Sequence, residues 1–394
     1  MVDTLLGIKA KLQQIEETGL YRSCSEVEHR TGRTIKIGGQ EYLNFTSNDY
    51  MGLASSDLLK NALKTGAELY GVGTGASPLV TGLTKAHADL AQKVCAITGK
   101  EAALVFSSGF AANQAIVKAL NSLGADLIFD KYAHASMQDA ASYIGKFHRY
   151  PHGDLVRAQS LVQALPTPVI LTEGVFSMDG DSADLVALEK IKALHPKCMV
   201  VLDDAHGFGV LGPQGHGTPS AQGVSFAVAD IYMGTLSKAI GVGGAFVAAS
   251  RDFIEYLINT SREYIYSTSM PGAMAYTASV ALDYIETHNE LRTHLHTLIK
   301  TFKTSLSHEL QAANLTIGEH SLSETSIQPI VLGPTERTMR VASYLKSQGI
   351  WAGAMRPPTV PRGTSRLRFT ITAAHTMEDV QQLVSTLVQG VKHA

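Results

Sequence analysis

Between residues 102 and 248 the sequence alternates short apolar runs with segments of helical periodicity, and this alternation limits the possible folds more than any other feature. The six predicted strands are Ala102–Phe106, Asp126–Phe129, Pro168–Thr172, Cys198–Leu202, Ile231–Met233 and Ala245–Ala248. Helical patterns such as Ala111–Leu120 and Leu185–Leu194 separate the first five. Strand–helix–strand units at this spacing produce crossover connections. The sequence therefore predicts an α/β domain whose mostly parallel sheet carries helices on both faces.

The two ends of the chain differ from this middle part. A helical pattern followed by a turn at Gly38-Gly39 predicts an N-terminal arm and hairpin over residues 1–45. From about residue 290 a long polar helix, further strands and a closing helix predict a smaller α+β domain over residues 290–394, which leaves 46–289 for the large domain. Thr376 is the predicted N-cap of the closing helix. The apolar stripe of that helix consists of Val380, Leu383, Val384, Leu387, Val388 and Val391.

The composition narrows the classes of protein to which the chain can belong. With 17% charged and 45% hydrophobic residues it is typical of globular proteins. A formal net charge of −2, without any block of Lys and Arg, gives no sign of nucleic-acid binding. Cys24, Cys95 and Cys198 form no C-x-x-C pair, which favours reduced thiols, and no metal site is predicted. The start at Met1 lacks a signal-peptide pattern, and no run of about 18 apolar residues predicts a membrane span. We expect a cytoplasmic protein.

Three short segments suggest a cofactor site at the carboxyl edge of the predicted sheet. Asp203, which begins Asp-Asp-Ala-His-Gly, follows a buried run directly, and ligands of open α/β sheets bind beyond the strand ends. Lys238, which ends Gly-Thr-Leu-Ser-Lys, suits a Schiff-base amine beside phosphate-binding hydroxyls. The glycine turn Ser107–Ala111 opens a helix and so directs backbone N–H groups at an anion. Taken singly, these are commonly a helix cap, a surface lysine and an ordinary turn; their order and spacing together favour a cofactor site.

These segments resemble the α-oxoamine synthases, which are fold type I enzymes dependent on pyridoxal 5′-phosphate (PLP). The similar segments are Tyr42–Tyr50, Ser108–Phe110, Thr172–Asp181, Asp203–Gly207, Thr235–Lys238, Ile265–Pro271, Arg356–Pro361 and Arg366–Arg368. The resemblance covers the chain from about residue 40 to its C-terminus and is much weaker over the first 35 residues. It implies a PLP-dependent transferase with a large domain built on a mostly parallel sheet and a smaller C-terminal α+β domain.

One glycine-rich stretch, Gly71–Gly82, departs from this family and also invites a different interpretation. It carries Pro78 where many relatives have arginine or glycine, so the loop through which the acyl group enters is expected to differ in detail. The stretch also looks like a nucleotide fingerprint. That fingerprint requires a preceding strand and a tight turn into a helix, and no strand pattern precedes it here. We reject a nucleotide site.

The resemblance implies a role for each residue around the cofactor ring. Lys238 would form the Schiff base and later remove the Cα proton of the substrate. Asp203 would pair with the pyridine nitrogen and keep it protonated, so that the ring can accept electrons. His206 would hydrogen-bond the phenolic oxygen with Ser177 beside it. His134 would stack on the ring, although a lone histidine at a helix start is more often structural.

The phosphate and the dimer are implied in the same way. The phosphate-binding residues of the same subunit would be Ser108, Gly109, Phe110 and Thr235. Ser267 and Thr268 resemble residues that reach the phosphate from the neighbouring subunit, which implies a homodimer with shared active sites. The alternative for these two is a polar turn before Pro271. Glu173 is expected to support the site in a way that the sequence does not define.

The substrate-binding residues are implied by the C-terminal segments and the arm. Arg356 resembles the arginine that binds the substrate α-carboxylate through two parallel hydrogen bonds, with Asn48 assisting. Arg356 could instead be a rim charge before the rigid Pro-Pro turn. Thr359 belongs to the same segment and is assigned to the substrate site. Arg22 is a looser match, which would meet the distal carboxylate of the acyl chain.

The implied activity is that of an acyltransferase that joins an amino acid to an acyl thioester with loss of CO2. The segments at 265–271 and 356–361 favour L-alanine and a pimeloyl thioester, carried by CoA or by an acyl carrier protein, as in biotin biosynthesis. Glycine with acetyl-CoA (2-amino-3-ketobutyrate CoA ligase), glycine with succinyl-CoA, serine with palmitoyl-CoA and the synthesis of a signalling ketone are alternatives with the same chemistry. An aminotransferase and a catalytically silent PLP-binding subunit are alternatives of other classes.

Overall fold

The computed structural model describes residues 4–18, 20–319 and 321–394, so the chain start on which the signal-peptide expectation rests lies outside it. The strands are β1 (His29–Arg30), β2 (Thr34–Ile37), β3 (Gln40–Asn44), β4 (Ala102–Phe106), β5 (Asp126–Asp130), β6 (His148–Tyr150), β7 (Pro168–Glu173), β8 (Met199–Asp203), β9 (Ile231–Thr235), β10 (Ala245–Ala249), β11 (Ile327–Gly333), β12 (Ile350–Trp351), β13 (Gly353–Met355) and β14 (Ser365–Thr370). The helices are α1 (Thr4–Glu17), α2 (Asp57–Tyr70), α3 (Lys85–Thr98), α4 (Gly109–Ser122), α5 (Ala135–Ile144), α6 (Leu155–Ala164), α7 (Leu185–Ala193), α8 (Thr218–Ala221), α9 (Arg251–Thr260), α10 (Arg262–Ile265), α11 (Gly272–Thr287), α12 (Asn289–Ala312), α13 (Thr335–Ser347) and α14 (Met377–Lys392).

A seven-stranded sheet forms the centre of the molecule, in the order β4-β10-β9-β8-β7-β5-β6. Strand β10 runs antiparallel to both of its neighbours, and the pairs from β9 to β6 are parallel. Parallel strands bring their carboxyl ends to one edge of a sheet, where ligands bind in open α/β folds. The expected α/β fold with a mostly parallel sheet is confirmed.

The central strands are mostly apolar because both faces of the sheet are covered. All six residues of β7 are buried, and its side chains alternate between two cores. Ile170 packs into the core that also contains Val200 and Leu202. Val169 and Leu171 pack into the core on the opposite face. A near-continuous apolar run is therefore what a central parallel strand requires.

The strand limits predicted from the sequence differ from the structure where a local contact decides the boundary. The N–H of Cys198 donates to the carbonyl oxygen of His195 at 2.9 Å, which closes the turn after α7, so β8 begins one residue later than predicted. Strand β6 was not predicted, because its three residues His148–Tyr150 at the sheet edge contain no apolar run.

The N-terminal hairpin pairs with a strand from the far end of the chain. Strands β1, β2 and β3 form a sheet with β12, in which Leu43 lies opposite Ile350 in parallel register. The remaining C-terminal strands form a second small sheet in the order β11-β14-β13. The domain limits at residues 45/46 and 289/290 stay predictions.

The closing helix α14 begins as the sequence predicts. The Thr376 side chain accepts a hydrogen bond from the Asp379 N–H at 3.2 Å, and the Asp379 carboxylate accepts one from the Thr376 N–H at 2.9 Å. This reciprocal pair is a capping box. The predicted apolar stripe is buried. Within the described residues, no helix is both long and apolar enough to cross a membrane.

Candidate active site

Three neighbouring strands end in polar side chains at the same edge of the central sheet. Glu173 ends β7, Asp203 ends β8 and Thr235 ends β9, and all three are buried. Glu173 and Asp203 are register partners, so their side chains lie next to each other on one face. Lys238 follows three residues after the end of β9. The sheet therefore brings two carboxyl groups and an amine to one buried location.

Asp203 is fixed by two hydrogen-bond donors. The Nδ2 of Asn113 donates to its Oδ2 at 2.8 Å, and the Ala205 N–H donates to its Oδ1 at 3.0 Å. The carboxylate is 3% exposed. Hydrogen bonds from neutral donors hold its oxygens in place without cancelling its charge, so this carboxylate can stabilise a positive charge placed before it.

Lys238 and His206 are in direct contact. The Nζ of Lys238 lies 2.9 Å from Nε2 of His206, and the Nδ1 of His206 lies 2.6 Å from the hydroxyl oxygen of Tyr50. Burial, followed by the charge of Lys238, lowers the pKa of His206 well below its ordinary value. Burial also lowers the pKa of Lys238, against the opposing effect of Asp203. The histidine is thus neutral, and the lysine loses its proton more readily than a solvated amine, which a nucleophilic amine requires.

Glu173 lies in surroundings that disfavour its charged form. Burial, reinforced by the charge of Asp203, raises the pKa of Glu173 well above its ordinary value. Its Oε1 is buried and has no hydrogen-bond partner among the described residues. Glu173 therefore keeps its proton to a higher pH than an ordinary glutamate does.

His134 is the N-cap of α5 and is tied to Asp203 through a chain of hydrogen bonds. Its Nδ1 accepts from the Ser136 hydroxyl at 2.7 Å, and Ser136 accepts from Asn113 at 2.9 Å. Burial lowers the pKa of His134. The imidazole is therefore neutral and held in one orientation, as a side chain that covers a ring would need to be.

The N-terminus of α4 completes the edge of the site. Ser108 caps the helix, since its side chain accepts from the Ala111 N–H at 3.1 Å. A Cβ on Gly109 would come within 2.8 Å of the Thr235 side chain, so the helix start packs against the end of β9. The free N–H groups and the positive end of the dipole of this 14-residue helix are features that favour the binding of an anion. Phe110 is half exposed beside it.

The residues present fit PLP. The cofactor needs an amine for its aldehyde, a carboxylate for its ring nitrogen and an anion site for its phosphate. Lys238, Asp203 and the start of α4 offer these three groups at one edge of the sheet. The unpartnered Oε1 of Glu173 is an orphaned polar atom in the same place, as expected where a further polar group belongs.

Arg368 is in contact with Asn48. Its Nη1 and Nη2 lie 3.5 Å from Oδ1 of Asn48, and its Nε donates to the carbonyl oxygen of Ser177 at 2.6 Å. By contrast, the Nη2 atom of Arg356 lies 3.4 Å from the carbonyl oxygen of Tyr21 on the N-terminal arm. The structure thus brings Asn48 and Ser177 together around a guanidinium other than the one that the sequence singled out.

A cavity of about 420 Å³ opens beside His134. Arg22, Ser177 and Thr359 line it together with Arg366. Ser267 and Thr268 lie elsewhere, in a cavity of about 430 Å³ that is also lined by Ser107. The structure therefore places the predicted acyl-chain residues next to His134, and the two predicted cross-subunit residues in a different cavity of the same chain.

Asn113, Tyr50 and Arg368 are site residues to which the sequence assigned no role. A signal existed for Asn113, which is a polar residue on the apolar face of a helical pattern and is 1% exposed. Tyr50 and Arg368 both belong to segments that carry the family resemblance. Their contacts, with His206 and Asn48, join parts of the chain that lie 156 and 320 residues apart.

Comparisons with known proteins agree with this geometry. The aminotransferase class I and II family matches residues 40–387. The 8-amino-7-oxononanoate synthase of Aeromonas hydrophila is 42% identical over 384 residues, which cover 97% of this chain and 94% of that protein. The enzyme of the same name from Janthinobacterium sp. (strain Marseille) is 41% identical and is covered to 98%.

Two solved structures are similar over most of the chain. Serine palmitoyltransferase from S. paucimobilis, with a bound PLP–myriocin aldimine, has a TM-score of 0.87 at 26% identity. The match covers 100% of this chain and 98% of that one. The 8-amino-7-oxononanoate synthase of Francisella tularensis has a TM-score of 0.76 at 31% identity, covering 89% of this chain and 98% of that one.

Proposed function

We propose that this chain, which belongs to the aminotransferase class I and II family and within it to the 8-amino-7-oxononanoate synthases, condenses L-alanine with a pimeloyl thioester to 8-amino-7-oxononanoate, CO2 and the free carrier thiol in biotin biosynthesis. The carrier is CoA or an acyl carrier protein. The observation that carries the proposal is the buried Lys238 amine, 2.9 Å from a neutral His206, at the sheet edge where Asp203 ends the next strand.

PLP bound at this edge supplies an electron sink for a carbanion at the Cα of the amino acid. Lys238 holds the cofactor and, when displaced, accepts the Cα proton at its Nζ. Burial lowers the pKa of Lys238, so its amine gives up a proton more readily than the amine of a solvated lysine does. The Asp203 carboxylate, held by Asn113, keeps a proton on the ring nitrogen. His206 would form a hydrogen bond with the phenolic oxygen of the cofactor, and the hydroxyl of Tyr50 fixes the orientation of the His206 ring.

Binding of the substrate α-carboxylate is assigned to a guanidinium beside Asn48. Arg368 contacts both Asn48 and Ser177, which supports it as the residue that binds the carboxylate. Arg356 then contacts the arm at the carbonyl oxygen of Tyr21. Arg368→Lys is expected to raise the KM for L-alanine roughly 10- to 100-fold, because a bidentate contact is lost. A larger rise for Arg356→Lys would return the role to Arg356.

The cavity of about 420 Å³ beside His134 suits the acyl chain. Arg22 at its lining would meet the distal carboxylate of the pimeloyl group, and Thr359 would line the path. A homodimer with shared sites would bring Ser267 and Thr268 of each subunit to the phosphate in the other. Ser267 and Thr268 line a different cavity from the one beside His134, and Ser107, just before α4, lines the same cavity as they do.

The test is a comparison of rates with L-alanine, glycine and L-serine against pimeloyl-, acetyl-, succinyl- and palmitoyl-CoA and pimeloyl-ACP, with CO2 release measured. We expect the alanine–pimeloyl pair to have the highest kcat/KM, with one CO2 released per product. A preference for another pair would reassign the substrates, and keto-acid exchange without CO2 would indicate an aminotransferase. Lys238→Ala should abolish turnover, and retained turnover would refute the assignment of the lysine.

A further inference from the structure

A histidine outside the described site, His152, is held between two carboxylates and two aromatic rings. Its Nδ1 lies 2.9 Å from Oδ1 of Asp130, and its Nε2 lies 2.8 Å from Oδ2 of Asp181. Its ring stacks on Tyr132 with centroids 4.4 Å apart and an interplanar angle of 21°, and it meets Phe176 edge-on at 4.4 Å. Both ring nitrogens of this imidazole thus have a carboxylate partner, and the ring has two aromatic neighbours.

The geometry at both nitrogens requires the imidazolium form. A neutral imidazole has a hydrogen on only one nitrogen, so the lone pair of the other nitrogen would face a carboxylate oxygen. The protonated ring donates to both carboxylates instead. In keeping with this, burial lowers the pKa of His152, but the hydrogen bonds that the ring donates to Asp130 and Asp181 outweigh it and raise the pKa to about 9.

The first carboxylate belongs to the loop that carries His134. Asp130 is the last residue of β5, and its Oδ1 also accepts from the Tyr132 N–H at 2.7 Å. His134 follows Tyr132 by two residues and caps α5. Contact of His152 with both Asp130 and Tyr132 therefore fixes the backbone that presents the His134 ring.

The second carboxylate belongs to the loop that carries Ser177. The Phe176 N–H donates to the backbone oxygen of Asp181 at 2.9 Å, which closes a turn around Ser177. The carbonyl oxygen of Ser177 in turn accepts from Arg368 at 2.6 Å. A shift of this turn would move the acceptor that orients the Arg368 guanidinium.

We propose that His152 is a positioning residue, which as an imidazolium clamps the His134 loop to the Ser177 loop and so sets the distance between the cofactor-covering ring and the substrate-carboxylate site. This inference rests on the proposed function for its catalytic meaning, whereas the clamp is a property of the loops themselves. His152 does not reach the reacting atoms and acts only through its two neighbours.

The other charged groups around His152 leave the sign of its charge unchanged. His152 lines a cavity of about 790 Å³, and the charged residues Asp179, Glu319, Glu324 and Arg366 line the same cavity. Arg366 forms an ion pair with Asp179, and Glu324 with Lys303. The folded pKa of His152 lies above its ordinary value of 6.5, so the clamp is complete below pH 6.5 and is lost as the pH rises through about 9.

The experiment compares wild type, His152→Gln and Asp181→Asn, with His308→Gln on the exposed face of α12 as the matched control. We expect His152→Gln to weaken PLP binding to the apoprotein and to reduce kcat/KM roughly 10- to 100-fold, the usual cost of a small misplacement. Asp181→Asn removes one of the two carboxylates that favour the proton. It should move the alkaline loss of PLP affinity, and the alkaline limb of kcat/KM, to lower pH by about one unit.

Two outcomes would overturn the clamp. One is a His152→Gln protein with the PLP affinity, bound-cofactor spectrum and kcat/KM of the control. The other is an Asp181→Asn protein whose alkaline PLP-binding profile coincides with that of wild type. Since the Asp181 side chain is 44% exposed, this variant tests the clamp even where His152→Gln fails to fold. PLP titrations use no substrate, so they separate failure of the clamp from failure of the proposed reaction.

Discussion

Replacing Asn113 by alanine tests how strongly Asp203 depends on its neighbours. The Asn113 amide donates to Asp203 at 2.8 Å and to Ser136 at 2.9 Å, and its side chain is buried. A hydrogen bond to a buried charged group contributes about 1.5–3 kcal/mol. At about 1.4 kcal/mol per factor of ten, its loss should lower kcat/KM by roughly 10- to 100-fold.

The size and direction of this effect can be checked with variants on the same helix. Asn113→Asp adds a second carboxyl group beside Asp203, which should cost more than Asn113→Ala because like charges at close range disfavour each other's ionisation. Asn121→Ala, at the other end of α4, is the matched control. The assay is kcat/KM for L-alanine together with the PLP dissociation constant of the apoprotein. An Asn113→Ala protein within twofold of the control in both quantities would refute the role given to this amide.

Two further predictions concern buried groups near the site. Tyr50→Phe removes the hydroxyl that lies 2.6 Å from Nδ1 of His206 and leaves this buried ring nitrogen unpaired. The free energy of unfolding in urea should therefore fall by about 1–3 kcal/mol, and an unchanged value would contradict this. Burial lowers the pKa of His375 to about 4, and because the unfolded chain takes up a proton below the ordinary value of 6.5, stability should fall between pH 6.5 and 4. Urea unfolding at pH 6.5 and pH 4 should show that the free energy of unfolding falls by roughly 3 kcal/mol between them, and the difference should be smaller in His375→Asn.

The central strands were predictable because their side chains are buried on both faces, which imposes a nearly continuous apolar run. The short edge strand His148–Tyr150 has no such requirement and carries no such run. In the same way, Asp203 directly follows an apolar run and Lys238 lies shortly after one, so their place near the strand ends could be inferred from local sequence. The roles of Asn113 and His152 could not, because each depends on partners that only the tertiary fold brings near.

The choice between Arg356 and Arg368 illustrates the same limit. Both arginines belong to segments that resemble the family, and sequence alone gives no distance from either to Asn48. Strand β14 buries Arg368 to 7% exposure and directs its guanidinium to the Ser177 turn. Arg356 follows β13 in a more open segment and reaches the arm instead.

The parallel pairing of Leu43 with Ile350 sets an order for biosynthesis. The hairpin leaves the ribosome roughly three hundred residues before the strand that completes its sheet, so closing this long loop is a late and slow event. Asn48 and Tyr50 follow the hairpin directly, and they take their final places only when the last hundred residues have been translated. We therefore expect a nascent chain that stalls before residue 350 to contain the central sheet without a finished active site.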